Sequence, residues 1–138
     1  MAYMFYGCSN LISLDLNNFN TSSVTSMEFI FWGNINLESL DINNFNTSSV
    51  INIECMLYNL NNLKYLDINH FNTSSFTNME YIFFGCSNLI SLDLNNFNTS
   101  SVINNLFILY EISFCLDIKK EIDIINNKIL CLLYKLYK

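Results

Sequence analysis

Few side chains in this sequence could do chemistry, and they are scattered. One histidine, His70, five cysteines (Cys8, Cys55, Cys86, Cys115 and Cys131) and twelve carboxylates stand beside six lysines. A catalytic histidine needs a partner that orients it and a nucleophile or water within hydrogen-bond reach. No such pattern surrounds His70, which takes a place held by Asn in the other copies of its segment. The cysteines lack the paired spacing of a zinc site, and an odd number does not build a disulfide framework. Cys8 and Cys86 recur in one slot and are expected as small buried hydrophobes too far apart to bridge; Cys55, Cys115 and Cys131 fit the same account. The expectation is a protein that is not an enzyme, with no catalytic residues, no cofactor and no metal ligands.

The regular carboxylates lead from chemistry to architecture. Asp15, Asp41, Asp67 and Asp93 recur every 26 residues within SLDLNNFNTSSV, SLDINNFNTSSV, YLDINHFNTSSF and SLDLNNFNTSSV. A second block precedes each: MAYMFYGCSNL, MEFIFWGNINL, IECMLYNLNNL and MEYIFFGCSNL. Residues 1–104 are therefore nearly all one unit in four copies, and self-similarity at such a period marks a repeat array. A single unit cannot bury its own apolar faces, so the copies must stack.

Apolar spacing places the elements expected in each unit. Leu11, Leu14 and Leu16 have the LxxLxL pattern of a short strand with alternate residues inward. Phe19 follows into the core, and Asn20, Thr21, Ser22 and Ser23 turn the chain with side-chain oxygens that serve free backbone donors. Thr25 with Glu28, and Thr77 with Glu80, have capping-box spacing, and Met27, Ile30 and Phe31 then make a helical stripe. Gly7, Gly33 and Gly85 share one slot with Asn59, which predicts a left-handed residue there. The core columns would be Leu14, Leu40, Leu66 and Leu92; Leu16, Ile42, Ile68 and Leu94; and Phe19, Phe45, Phe71 and Phe97. The fold class expected is an α/β solenoid, with a parallel sheet on the concave face, short helical segments on the convex side and a C-terminal capping helix. Residues 1–118 would form the array, its fifth unit degenerate around Leu116, Asp117 and Ile118, and residues 119–138 a Lys-containing amphipathic helix or cap.

The outward strand positions form the candidate binding face: Ser13, Asp15 and Asn17; Ser39, Asp41 and Asn43; Lys64, Tyr65, Asp67 and Asn69; Ser91, Asp93 and Asn95. The aspartate ladder reads as a solvated structural feature, a protein-contacting surface or a weak cation site. At about 5 Å between neighbours, repulsion in water is at most about 1 kcal/mol per pair, so plain surface is tolerable. Tyr65 interrupts the ladder with an aromatic able to anchor a partner. Tyr6, Trp32, Tyr58 and Phe84 form a second column, expected to pack at the convex edge or to touch a partner. Asn20, Asn46, Asn72 and Asn98 each begin an N-x-S/T sequon, which matters for glycosylation only in a secreting eukaryote.

Net charge is −6, yet residues 1–118 carry ten carboxylates against Lys64 alone. An acidic array repels a phosphate backbone, which argues against nucleic acid as partner. No apolar run reaches the roughly 18 residues needed to span a bilayer, so no transmembrane segment is expected, and no signal-peptide pattern opens the sequence. Ile122, Ile125, Ile129, Leu132, Leu133 and Leu136 recur at helical spacing, which reads as a cap, a frame-shifted remnant or a membrane-surface helix. The first unit has no such cover: Met4, Phe5, Leu11, Leu14 and Leu16 would lie on an open end, inviting self-association.

The run MFYGCSNLISLDLNNFNTSSVTSM, repeated every 26 residues, closely resembles the BspA-like leucine-rich repeats of bacterial and some protist surface proteins. The likeness covers about three quarters of the chain, and the aromatic-Gly-Cys block, the LDLNNF run and the spacing match together. It implies a secreted or surface-anchored, non-catalytic module that binds a protein partner or mediates adhesion. The alternatives are an intracellular adaptor in the cytoplasm using the same face, or a non-functional fragment of a longer repeat protein.

Overall fold

Each 26-residue unit closes one circuit of a continuous coil, and successive coils stack with their backbones hydrogen-bonded. The computed structural model describes residues 1–103, which comprise coil 1 (residues 1–26), coil 2 (27–52), coil 3 (53–78) and coil 4 (79–103). The register shows in bonds between residues 25 apart. The N–H groups of Tyr3, Phe5 and Gly7 donate to the carbonyls of Glu28, Ile30 and Trp32 at 3.1, 2.9 and 2.7 Å. Phe29, Phe31 and Gly33 repeat this onto Glu54, Met56 and Tyr58, and Cys55, Leu57 and Asn59 onto Glu80, Ile82 and Phe84.

The block expected to be helical is instead a chain of turns. In coil 2 the N–H groups of Ile30, Trp32 and Asn34 donate to the carbonyls of Met27, Phe29 and Phe31, each three residues back. Phe29 has φ of 55°, and Tyr3, Cys55 and Tyr81 in the same slot have 61, 50 and 55°. A left-handed residue there reverses the winding that a right-handed helix requires. It also frees the carbonyls of residues 28, 30 and 32 to face the preceding coil. The slot of Gly7, Gly33, Asn59 and Gly85 is left-handed as well, with φ of 67, 74, 58 and 75°, as expected, although it closes a turn and not a helix. A Cβ at Gly85 would run into the Asn59 side chain and lie 3.2 Å from its Cα.

The expected α/β solenoid is thus corrected on both of its layers. Among the described residues there is no helix and no sheet; pairing is limited to the isolated parallel bridges Ser26 to Asn52, Asn52 to Asn78 and Tyr65 to Ser91. Between the Leu-x-Leu segments of successive coils, backbone bonds run from Glu38 to Ile12 and from Ile90 to Lys64, at 3.0 and 2.9 Å. Side-chain amides serve carbonyls that a sheet would have paired: Asn44 Nδ2 donates to Leu16 and Asn17, at 2.8 and 3.0 Å, and Asn36 Nδ2 donates to Ser9 at 2.9 Å. Two inward residues between bends are too few to propagate a ladder. The capping helix over 119–138 and the degenerate unit at Leu116, Asp117 and Ile118 lie outside the described residues, as do Cys115 and Cys131.

The core runs up the middle of the stack in the expected columns. Leu40, Leu66 and Leu92, Ile42, Ile68 and Leu94, and Phe45, Phe71 and Phe97 are all buried. Leu14 and Phe19 of coil 1 are only half-buried, while Leu16, expected on the open end, is 2% exposed. A polar column lies among these apolar ones. Thr21, Thr47, Thr73 and Thr99 are buried. Thr21 Oγ1 accepts from the Asn46 N–H at 2.7 Å and donates to the Asn46 carbonyl at 3.1 Å; Thr47 repeats the exchange with Asn72 at 2.8 and 3.4 Å. The Thr21 and Thr47 hydroxyls thereby satisfy both backbone groups of one residue in the next coil, which is what lets them be buried cheaply, and Thr73 Oγ1 accepts from the Asn98 N–H at 2.7 Å.

Candidate binding surface

The bends after the Leu-x-Leu segments are held by the aspartates themselves. Oδ1 of Asp15, Asp41 and Asp67 accepts the N–H of Asn17, Asn43 and Asn69 at 3.0 Å, and Asp93 accepts that of Asn95 at 2.9 Å. This repeated geometry places every residue of the expected binding face at the surface. Ser13, Asp15, Asn17, Ser39, Asp41, Asn43, Lys64, Tyr65, Asp67, Asn69, Ser91, Asp93 and Asn95 are all exposed. The ladder therefore has a structural role in the turns, with the remaining carboxylate oxygens able to meet a ligand.

The face is not flat. Over coil 2, with coils 1 and 3 at its sides, lies a cleft of about 260 Å³, where Tyr65 joins Glu38, Asp41 and Asp67 beside Leu14 and Leu40. Tyr65 is 64% exposed. One aromatic wall and three carboxylates make a setting for a cation carried on an apolar stem, since the ring attracts it through its quadrupole and the carboxylates through charge.

A second surface is aromatic. Tyr6 stacks on Trp32 at 4.5 Å, Trp32 on Tyr58 at 5.6 Å and Tyr58 on Phe84 at 4.7 Å, so this column packs along the stack as expected. Tyr3 stacks on Phe29 at 4.9 Å beside it. A carboxylate and amide ladder follows: Glu28 accepts from the Asn52 amide, and Glu54 from that of Asn78 at 3.0 Å. Desolvation first, then the Glu28 and Glu54 carboxylates, holds the Tyr3 phenol above its ordinary 10.0.

The remaining candidates separate by environment. His70 is exposed and lies edge-on to Phe71 at 4.9 Å. No group of three or more His, Cys, Asp or Glu among the described residues is placed to hold a metal ion. Cys55 and Cys86 are buried as expected, whereas Cys8, in the slot of Cys86, is exposed at the outer side of coil 1. Burial pushes the Cys55 thiol up to about 12, helped by Glu54 and Glu80. Burial does the same for Cys86, also to about 12, against the opposing pull of the Leu60 N–H. Asn20, Asn46, Asn72 and Asn98 are exposed, and each Oδ1 accepts the N–H two residues on.

Two polar features went unforeseen. The threonine column was hidden inside a run that reads as solvated turn, although Phe19 and Thr21 do keep the period-2 spacing of inward residues. Asn34 is fully buried; its Nδ2 donates to the carbonyls of Phe5 at 2.8 Å and Phe31 at 2.7 Å, and its Oδ1 has no partner. Cys86 does similar work in the same slot two coils on, its thiol donating to the Leu57 carbonyl at 3.1 Å.

The model of a family described as "Mycoplasma protein of unknown function, DUF285" matches residues 1–120, and the chain belongs to that family. No curated protein and no solved structure matches the chain. No helix among the described residues is long and apolar enough to cross a membrane.

Proposed function

We propose that this member of the DUF285 family is a non-catalytic binding module that engages a protein partner through the exposed face from Ser13 to Asn95, as BspA-like leucine-rich-repeat surface proteins do at the cell surface. The observation that carries the reading is the cleft at Tyr65. It departs from the repeat where three copies carry Ser, and it joins an exposed ring to Glu38, Asp41 and Asp67. A feature that only stabilised the stack would be expected in every coil.

The partner segment that fits is basic. Residues 1–103 carry eight carboxylates and a single lysine, so charge complementarity favours a Lys- or Arg-bearing peptide and disfavours nucleic acid. An exposed aromatic anchor beside charges that steer the approach is a frequent arrangement at protein interfaces. Panning a displayed peptide library on the purified chain tests this. Peptides rich in Lys or Arg should be selected, and Tyr65→Ala or Asp67→Asn should weaken them by about tenfold, equivalent to about 1.4 kcal/mol. Selected peptides that bind both variants as tightly as the parent would remove the cleft from the reading.

A further inference from the structure

We propose that the cleft beside Tyr65 seats one arginine side chain of the partner, its guanidinium plane laid on the Tyr65 ring and its N–H edges turned to Asp41, Asp67 and Glu38. This rests on the proposed binding of a basic partner and goes further, since it requires the cleft to prefer arginine to lysine. The cleft marks the place where coil 3 departs from its neighbours. Lys64 stands in the slot of Ile12, Glu38 and Ile90, Tyr65 in that of Ser13, Ser39 and Ser91, and His70 in that of Asn18, Asn44 and Asn96.

These departures coincide with an open seam. On this face coil 2 is joined to coil 1 by the Glu38 N–H on the Ile12 carbonyl and by the Asn44 amide on the carbonyls of Leu16 and Asn17. Coil 4 is joined to coil 3 by the Ile90 N–H on the Lys64 carbonyl and by the Asn96 amide on that of Asn69 at 3.5 Å. Among the described residues, no hydrogen bond from residues 64–70 reaches coil 2. The Glu38 carbonyl therefore lacks the N–H that its equivalents in coils 1 and 3 receive, and the His70 ring lies against Phe71 where an amide would reach back. The cleft borders this seam, with Glu38 and Asp41 on the coil 2 side and Tyr65 and Asp67 on the coil 3 side.

The acceptors around the cleft are too dispersed for a metal ion and suit a larger cation. Three carboxylates border it, yet no three such groups among the described residues are placed to hold a metal ion. Oδ1 of Asp41 and of Asp67 is committed to a turn N–H, which leaves the other oxygen of each, with the Glu38 carboxylate and carbonyl, to accept. A guanidinium carries five N–H donors in one plane and no acceptor, whereas an ammonium concentrates three donors at a point. The guanidinium alone can address spaced acceptors while its face lies on a ring, and it is the more weakly hydrated of the two. The volume of about 260 Å³ falls below the range of small-molecule clefts, about 300 to 1,000 Å³. It suits a single long side chain, whose stem would pass along Leu40.

The test titrates the isotope-labelled full chain with blocked tetra-arginine, tetra-lysine and tetra-citrulline at low salt, followed through the backbone amide signals by NMR. Tetra-arginine should shift the amides of Asn43, Tyr65 and Asp67 with a Kd about tenfold or more below that of tetra-lysine. Tetra-citrulline, as planar but uncharged, should shift none of them. Tyr65→Ser gives coil 3 the residue of the other coils at an exposed position. It should bring the two affinities to within about twofold of each other, because the ring that favours the planar cation is gone. Equal Kd values for arginine and lysine, or a tenfold ratio that survives in Tyr65→Ser, would overturn the arginine preference and leave the basic partner standing. Shifts centred away from the cleft would overturn the seat itself. No binding of either cationic peptide would remove the basic partner along with it.

Discussion

A thiol buried among apolar side chains resists ionisation, because the thiolate would lose its water without gaining a cation. Cys86 shows this most directly: its hydrogen goes to the Leu57 carbonyl, and its titration is pushed from 9.0 to about 12. Since the folded chain holds the proton more tightly than the unfolded one, this contribution is fully present below about pH 9. It is lost as pH rises through about 12. Urea denaturation at intervals from pH 8 to 11 should show stability flat to about pH 9 and falling above it. For Cys86 alone the complete loss is on the order of 4 kcal/mol, at about 1.4 kcal/mol per tenfold change in proton binding. Cys86→Ala should begin less stable, with the Leu57 carbonyl unserved, and then fall less steeply; an identical slope would show that the thiol carries none of the dependence. The same scale shows what the sequence hid. Gly7, Gly33, Asn59 and Gly85 announce their left-handed backbone, but Tyr3, Phe29, Cys55 and Tyr81 adopt it too, and such residues give no sign of it. Neither could the shared slot of Cys8 and Cys86 reveal that one is exposed and the other buried, which depends on which coil covers it.

That unannounced column decides the fate of the element. Capping-box spacing and an inward stripe at Met27, Ile30 and Phe31 are what a helix needs; the stripe suits the turns equally well, because residues three apart again lie on one side, while the N–H groups of Glu28 and Glu80 go to Ser26 Oγ and Asn78 Oδ1 in place of Thr25 and Thr77. The stripe itself was legible: all three side chains are buried. Where the carbonyls go was not, since a helix uses them within itself and this coil gives them to its neighbour. The short Leu-x-Leu runs misled in the same manner, with inward residues placed correctly and the hydrogen bonds supplied by Asn44 and Asn36 side chains in place of a ladder. The threonine column is the element's other joint. Thr47→Val keeps shape and volume but removes the acceptor for the Asn72 N–H and a donor for its carbonyl. Guanidinium denaturation should show a loss of about 1 to 3 kcal/mol, the cost of a buried donor left unmade. Thr47→Ser, which keeps the hydroxyl, should lose less; equal losses would assign the position to packing alone.

Over the whole molecule, stability is a sum of coils and of the interfaces between them, so the same substitution should cost different amounts at different heights in the stack. Phe45 is 2% exposed with its ring 6.3 Å from that of Phe31, while Phe19 in the corresponding slot is half-buried, its ring 5.9 Å from that of Phe5. Phe45→Ala opens a cavity between two coils and should cost about 3 to 5 kcal/mol. Phe19→Ala removes a side chain that already touches solvent, and with apolar burial worth about 25 cal/mol per Å² roughly half that loss is expected. The four phenylalanines look equivalent in sequence, and only their height in the stack separates them. Hydrogen exchange should follow the same gradient, the amides of Tyr3, Phe5 and Gly7 opening at lower free energy than those of Phe29, Phe31 and Gly33 although both sets are bonded alike. If Phe19→Ala and Phe45→Ala cost the same, and the two sets of amides exchange together, the array unfolds as one cooperative unit and the open coil is no weaker than the coils it covers.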